Sequence, residues 1–451
     1  MIFEYGFSIV GKSHIKKGTG CQDSHCIRKL ENGWVIAAVA DGVGSAKNSH
    51  IGSKIAAQTV VEFCDECMPW DYNLISIKSM MRTAYNFAYK LILRESQKSG
   101  EPIESYDTTL TMVIYDGQRI IYGHSGDGAI IGLTTFGDYV EITRPQKGAD
   151  GVSVLPLRSG YTQWVIDTYE EDLSAVLLMT DGMLETLCHY LLRDHIKKTN
   201  RAYVPLISFL ADPKGFDVQN IEDVKKEIFD FVVADKTYDS SRFYCRLLDI
   251  YKKHLSEKAE EIVETLKKTN YPVSLMQAEQ DDKTIVGIIN TELAFDGKNE
   301  AFYSEPNWNA LQEAWNRKAY PHLYSKPQND TQEELTTDTN NNDEVVTDAT
   351  VEKITETVTR EEKNKTEIKI ADTGTKSQNA DELDDILLLF ERRETNKNDI
   401  EGSSVSNVQG KASSPNNPSK PITNNEDLPP RTKHEKPKRK GWIGKIGDWF
   451  D

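Results

Sequence analysis

VIAAVADGVG, residues 35–44, is a continuous apolar run that ends on Asp41-Gly42. Such a run reads as a strand with both faces covered. The ending recurs. AVLLMTDG closes on Asp181-Gly182 and IIYGHSGDG on Asp127-Gly128, while QDDKTIVGII sets Asp281 and Asp282 just ahead of a strand and CQDS supplies Asp23. One Asp-Gly alone is an ordinary turn. Its repetition beside the strands or loops of a single domain points further, because carboxylates gathered from distant positions repel one another unless cations sit between them. Hard divalent cations take oxygen ligands, and Mg²⁺ or Mn²⁺ suits carboxylates, a backbone carbonyl and waters. Glycine after the acid lets the backbone approach closely, so the Gly42 carbonyl is a further candidate ligand.

Outward from this stretch, strands are predicted at 5–10, 34–40, 110–115, 119–123, 129–133, 175–180 and 284–289. Asp116-Gly117 is a hairpin signal between two of them. Long helices are predicted at 50–64, where Ile51, Ile55, Val60 and Phe63 share a face, and at 74–99. Residues 219–268 read as more helix with a charged outer side. Strand pairs beside long helices indicate a layered α+β domain.

The whole chain has 451 residues, 38% of them apolar, and a formal charge of −17. That balance argues against bulk nucleic-acid binding, which depends on Lys and Arg neutralising phosphates. No apolar stretch reaches the roughly 18 residues of a membrane span. MIFEYGFSIV lacks the basic region and cleavage site of a secretory signal. Six unevenly spaced Cys do not form a disulfide framework, so a cytoplasmic protein with reduced thiols is expected. Cys64-x-x-Cys67 has no second pair and reads as two half-buried thiols. From 326 to 440 the only aromatic is Phe390, and this Thr-, Asn-, Glu- and Lys-rich stretch is expected to stay disordered. Two islands interrupt the expected tail. DELDDILLLFERRE has helical spacing near 381–393, and KPKRKGWIGKIGDWFD joins a basic run to Trp442, Ile446, Trp449 and Phe450. The aromatic motif at 441–451 is expected to dock on a partner protein or an anionic membrane.

CQDS, ADGVGSAKNSHIGS, YDTTL, SGDG, MTDG and QDDKT, in that order, resemble the metal-dependent 2C-type serine/threonine protein phosphatases. The opening GKSHIKKGTGCQDS looks most like a bacterial branch of that family. The resemblance covers about residues 1–295, and the ordered string is far more specific than any member of it. It implies a four-layer α-β-β-α sandwich of two antiparallel sheets flanked by helices, with a two-metal site (Mn²⁺ or Mg²⁺) at one edge. Asp41 matches the acid that bridges both metals, and Gly42 the carbonyl donor. Asp181 and Asp281 match the remaining ligands of the first metal. Asp281 is preferred to Asp282 because the family pattern reads Asp, then Asn or Asp, any residue, then Thr. Asp127 matches an acid that helps hold a third, weaker ion, and Asp23 and Gln22 stand where the family holds metal-bound water. The implied activity is hydrolysis of phosphoserine and phosphothreonine in a protein substrate by attack of a metal-bridging water, without a phosphoenzyme, in opposition to a cognate kinase. The implied domain spans 1–295, with a helical insertion at about 197–239 and a docked helical extension at 296–325, where Trp308, Leu311 and Trp315 lie on one helix.

Three departures from the family pattern and two rival readings stand beside this. Gly18 occupies the position where the family often places a phosphate-binding Arg, so His14, Lys16 and Lys17 are the candidates for that duty. Val43 stands where some members have a His that protonates the leaving group, which leaves solvent, His14 or His50. The span from Asp181 to Asp281 is longer than in a minimal member. Gly6 to Ser13 satisfies the phosphate-loop pattern, but that loop must follow a strand and open a helix. Here Phe7–Val10 reads as the strand itself, and SHIKKGTG shows no helical pattern. The other rival is a catalytically inactive binding module acting through its tail. The presence of Asp41, Asp181 and Asp281 weighs against it.

Overall fold

The computed structural model describes residues 1–194, 199–216, 218–293, 295 and 297–324. The linker at 326–440, the short helix near 381–393 and the aromatic motif at 441–451 lie outside the described residues. In chain order the elements begin β1 (Ile2–Ile9), α1 (Lys12–Lys17), β2 (Ser24–Lys29), β3 (Val35–Ala40), α2 (Ser49–Cys67), α3 (Leu74–Ser99) and β4 (Leu110–Tyr115). Next come β5 (Ile120–Ser125), β6 (Ala129–Thr134), β7 (Tyr139–Glu141), β8 (Val165–Tyr169) and β9 (Leu173–Met179). A helical block follows: α4 (Asp181–Leu187), α5 (Val204–Ala211), α6 (Ile221–Val233), α7 (Ser240–Leu255), α8 (Lys258–Thr269) and α9 (Tyr271–Ala278). The described chain ends with β10 (Lys283–Asn290), α10 (Glu300–Tyr303), α11 (Trp308–Ala319) and α12 (Pro321–Tyr324).

The strands form two antiparallel five-stranded sheets, in the orders β1-β10-β9-β6-β7 and β2-β3-β4-β5-β8. Side chains alternate across a strand, and here each face has a different apolar destination. In β3, Val35, Ala37 and Val39 turn toward the other sheet and meet Val176, Leu178, Val286 and Ile288. Ile36, Ala38 and Ala40 turn the other way, toward Ala56, Val60, Met81 and Ala84 of α2 and α3. In β9, Ala175, Leu177 and Met179 face the helical block with Phe209, Phe231 and Phe243. The layers are therefore helix, sheet, sheet and helix. A sheet covered on both sides demands the unbroken apolar runs that the sequence displays.

All seven expected strands are present, within two residues of their predicted ends except β1, which starts three residues earlier than expected. β2, β7 and β8 were not expected. Each is an edge strand of its sheet, and SHCIRK, YVE and VIDTY carry polar residues because one side of an edge meets solvent. Lys12–Lys17 forms a short helix where no helical pattern was read, and Gly18 closes it at φ 70°. The phosphate-loop reading still fails, because Gly6–Ile9 belongs to strand β1, leaving no loop ahead of that helix. Cys64 is fully buried and not half-buried. The stretch 197–239 holds α5 and α6, which share one apolar cluster with α7, α8 and α9. In the extension, Trp308 of α11 packs on Tyr271, Tyr203 and His189, with ring centroids 4.5, 5.3 and 5.3 Å away. Tyr203 donates a 2.6 Å hydrogen bond to Glu305 just before that helix. No described helix is long and apolar enough to cross a membrane.

Candidate metal centre

Antiparallel pairing brings the ends of β3, β5 and β9 to one edge of the sandwich, and the acids that follow those strands meet there. Asp41, Asp127 and Asp181 each offer a carboxylate oxygen within 4.8 Å of the others. Asp41 is held through its backbone. Its N–H donates to Thr109 Oγ1 (2.9 Å), and its carbonyl accepts from Thr109 N and Thr108 Oγ1 (2.8 Å each). The YDTTL segment thus fixes the acid from the neighbouring strand. Gly42 is required by crowding, since a Cβ there would lie 2.6 Å from the Gln22 carbonyl oxygen and 2.8 Å from Ser49 Cβ. Asp181 opens α4, where an acid suits the positive end of the helix.

Asp23 adds a fourth carboxylate. It is buried and accepts a 2.8 Å hydrogen bond from Thr180 Oγ1, at the N-cap of α4. Burial, with repulsion from Asp282 added, pushes Asp23 up to about 7, above the ordinary carboxylate value. Asp41 is raised well above that range by burial and then by Asp23 and Asp181. Asp181 is raised to about 6 by burial and then by Asp127 and Asp281. Buried like charges disfavour ionisation, and relief comes from protons or from cations.

Asp281 is exposed and sits on the open side of the same place. It lines a cleft of ≈ 230 Å³ with Ser13, Asp181, Gly182, Glu185, Glu279 and Gln280. Its carboxylate groups with His14 and Asp282, not within the Asp41–Asp127–Asp181 triplet. Asp282 has a separate task. Its buried carboxylate accepts from the backbone N–H groups of Gly11 and Gln22, both at 2.6 Å, so it pins the start of α1 and the loop carrying Asp23. Asp281 Oδ1 accepts from Asp282 N at 2.9 Å.

The candidates for phosphate binding fall on α1. His14 Nδ1 lies 2.9 Å from Asp282 Oδ1, off the line of a hydrogen bond, with the imidazole 12% exposed. Lys16 reaches Gln280 Oε1 at 3.4 Å, and Lys17 is exposed. Gly18 is fixed as glycine by its left-handed backbone, which accounts for the absence of Arg there. Val43 donates its N–H to the Asp107 carbonyl, and His50 is exposed in the first turn of α2.

The sequence reading did not find Thr180, Glu185, Glu279, Gln146 or Lys147. Thr180 stood within MTDG and was passed over for the acid beside it. Lys147 comes from the irregular loop between β7 and β8, which carries no periodic signal, yet its Nζ lies 2.5 Å from Asp127 Oδ2. Asp127 Oδ1 is buried without a hydrogen-bond partner. An orphaned carboxylate oxygen among several carboxylates is the donor set a hard cation takes, so these residues fit Mn²⁺ or Mg²⁺.

Residues 10–215 match the family model described as "Protein phosphatase 2C". The match takes in Asp23, Asp41, Asp127 and Asp181 and stops short of Asp281. No curated protein matches the chain. Among solved structures, the chain is similar to a bacterial serine phosphatase bearing a point mutation, at 10% identity and TM-score 0.39, covering 66% of this chain and 100% of the other. It is also similar to serine/threonine phosphatase Stp1 from Staphylococcus aureus, at 11% identity and TM-score 0.36, covering 64% and 95%. A further similar structure is the catalytic domain of the serine/threonine protein phosphatase PstP in complex with 2 manganese ions, at 14% identity and TM-score 0.37, covering 64% and 97%. Through residues 10–215, the chain thus resembles the protein phosphatase 2C family.

Proposed function

We propose that this chain is an active, Mn²⁺- or Mg²⁺-dependent phosphatase of phosphoserine and phosphothreonine in proteins, working in the cytoplasm against a signalling kinase. The observation that carries the reading is the meeting of Asp41, Asp127 and Asp181 oxygens within 4.8 Å inside a domain of this family. Asp41, the Gly42 carbonyl, Asp181 and Asp281 would hold the ions, with Asp127 and Asp23 beside them. When bound, the ions supply an activated water and neutralise charge on the phosphoryl group.

The chain's own residues do the positioning. Thr108 and Thr109 fix Asp41 through its backbone, and Thr180 orients Asp23. Gly182 keeps α4 close to the strand that follows Asp282, since any side chain there would meet the Asp282 carbonyl. Glu185, Glu279 and Asp281 make the cleft wall acidic, so a phosphate enters only when cations have reversed its sign. Val43 has no proton to give, and His14 is turned onto Asp282. The leaving serine or threonine oxygen then takes its proton from solvent or from His50, exposed in the first turn of α2.

The test is hydrolysis of para-nitrophenyl phosphate and a phosphothreonine peptide with Mn²⁺, comparing the full chain with Asp41→Asn. Turnover that disappears in the variant supports the enzyme. A folded wild-type chain without turnover would make it a binding module.

A further inference from the structure

An ammonium group lies against the Asp41–Asp127–Asp181 cluster. Lys147 Nζ lies 2.5 Å from Asp127 Oδ2, with the lysine side chain 38% exposed and the aspartate 4%. Burial, then Glu279 and Asp281, raise Glu185 above the ordinary carboxylate value, and Lys147 is close enough to oppose them in part. The loop that carries it is stitched to the residue immediately before Asp127. Gln146 N donates to the Gly126 carbonyl at 2.7 Å, and Gln146 Oε1 accepts from Gly126 N at 3.1 Å. Gln146 Nε2 also donates to the Gln163 carbonyl at 2.9 Å. Lys147 itself pairs with Val154 across the loop, and Gly148 N donates to the Ser153 carbonyl at 2.7 Å. The position of the lysine backbone is thus tied to that of the acid it touches.

We propose that Lys147 is an internal cation occupying the outer side of Asp127, so that the cleft takes up one divalent ion fewer than its carboxylates could hold. The inference rests on the metal centre proposed above and reverses one expectation for it, that Asp127 helps to hold a third, weaker ion. A divalent ion at Asp127 Oδ2 would have to share that oxygen with an ammonium, and like charges repel. A hard cation also needs several oxygens at once, and Asp127 has only Oδ1 left to give. The lysine supplies one positive charge to the cluster without ligand exchange and without dependence on the concentration of free metal.

Equilibrium dialysis of the full chain against Mn²⁺ tests this, using wild type, Lys147→Met and Lys147→Arg, with circular dichroism to establish folding. The Met variant is expected to take up one more Mn²⁺ per chain than wild type, and the Arg variant the same number as wild type. No gain in the Met variant, or an equal gain in both, overturns the role of Lys147 while leaving the metal centre standing. A wild-type chain that takes up no Mn²⁺ overturns the metal centre itself. A second measurement needs no variant. Acetylation of Lys147 by acetic anhydride, followed by mass spectrometry, should proceed at the same rate with and without Mn²⁺. A several-fold acceleration by Mn²⁺ would mean that an ion displaces the lysine, which also overturns the proposal.

Discussion

Asp212 in the helical block and the Asp23–Asp41–Asp127–Asp181 group at the sheet edge are both withdrawn from water, but their surroundings differ in kind. Asp212 is fully matched. Its Oδ1 accepts from Lys214 N at 2.9 Å, and its Oδ2 lies 2.7 Å from His254 Nε2. Lys214 Nζ in turn approaches His254 Nδ1 at 3.0 Å. Phe295 and Tyr303 pack on the imidazole at centroid distances of 5.2 Å each. At the sheet edge, four carboxylates face one another with Lys147 against one of them, and Asp127 Oδ1 has no partner. A buried charge whose partners are all present holds a fold together. Buried like charges with an oxygen to spare are costly to the empty protein and are retained where something else binds.

The contrast can be broken by experiment. The largest effect is expected from Asp41→Asn, which should lower turnover at least about 100-fold, because groups that merely support a ligand already cost 10–100-fold. The same change should raise the melting temperature of the metal-free protein, since it removes repulsion from Asp23 and Asp181. A lower melting temperature would equate this site with the one at Asp212. His254→Ala should do the opposite, destabilising the protein by about 3 kcal/mol in urea unfolding, because it strands a buried carboxylate. Manganese affinity in that variant should stay at the wild-type value.

Smaller effects sharpen the picture. Thr180→Val removes the 2.8 Å hydrogen bond to Asp23 and should weaken Mn²⁺ binding about tenfold in calorimetry. Unchanged affinity would leave that threonine a structural role alone, as acceptor of Thr284 N. The pH dependence of the metal-free chain should also be inverted locally. Asp23 and Asp181 bind protons more tightly when folded, at about 7 and about 6 against 3.8 unfolded. Their contribution is thus present at low pH and lost as pH rises through those values. Between pH 5 and 7 the metal-free protein should lose about 3 kcal/mol of stability, and saturating Mn²⁺ should abolish the loss. Stability that rises over this window without metal would contradict the clustering.

Seven strands and two long helices were legible because a strand covered on both faces must be apolar throughout, as in residues 35–40 and 173–179. Three of the four edge strands were not, since SHCIRK and VIDTY answer partly to solvent and VIDTY pairs with a strand about 45 residues earlier. The six-residue helix at Lys12–Lys17 has no apolar face to announce it; its ends are set by Asp282 and by the left-handed Gly18.

What the sequence determined by itself is the set of acids and their places, because an Asp-Gly after an apolar run fixes a carboxylate at a strand end whatever the rest of the chain does. Which of those acids meet was decided by the tertiary structure. Sheet pairing put Asp127 among Asp41 and Asp181 and left Asp281 at the rim, and it brought up Lys147 from a loop without pattern. The physical reason is range. Periodicity and turn chemistry act over a few residues, whereas the repulsion between Asp23 and Asp41, or the attraction of Lys147 for Asp127, exists only once folding has closed the distance between them.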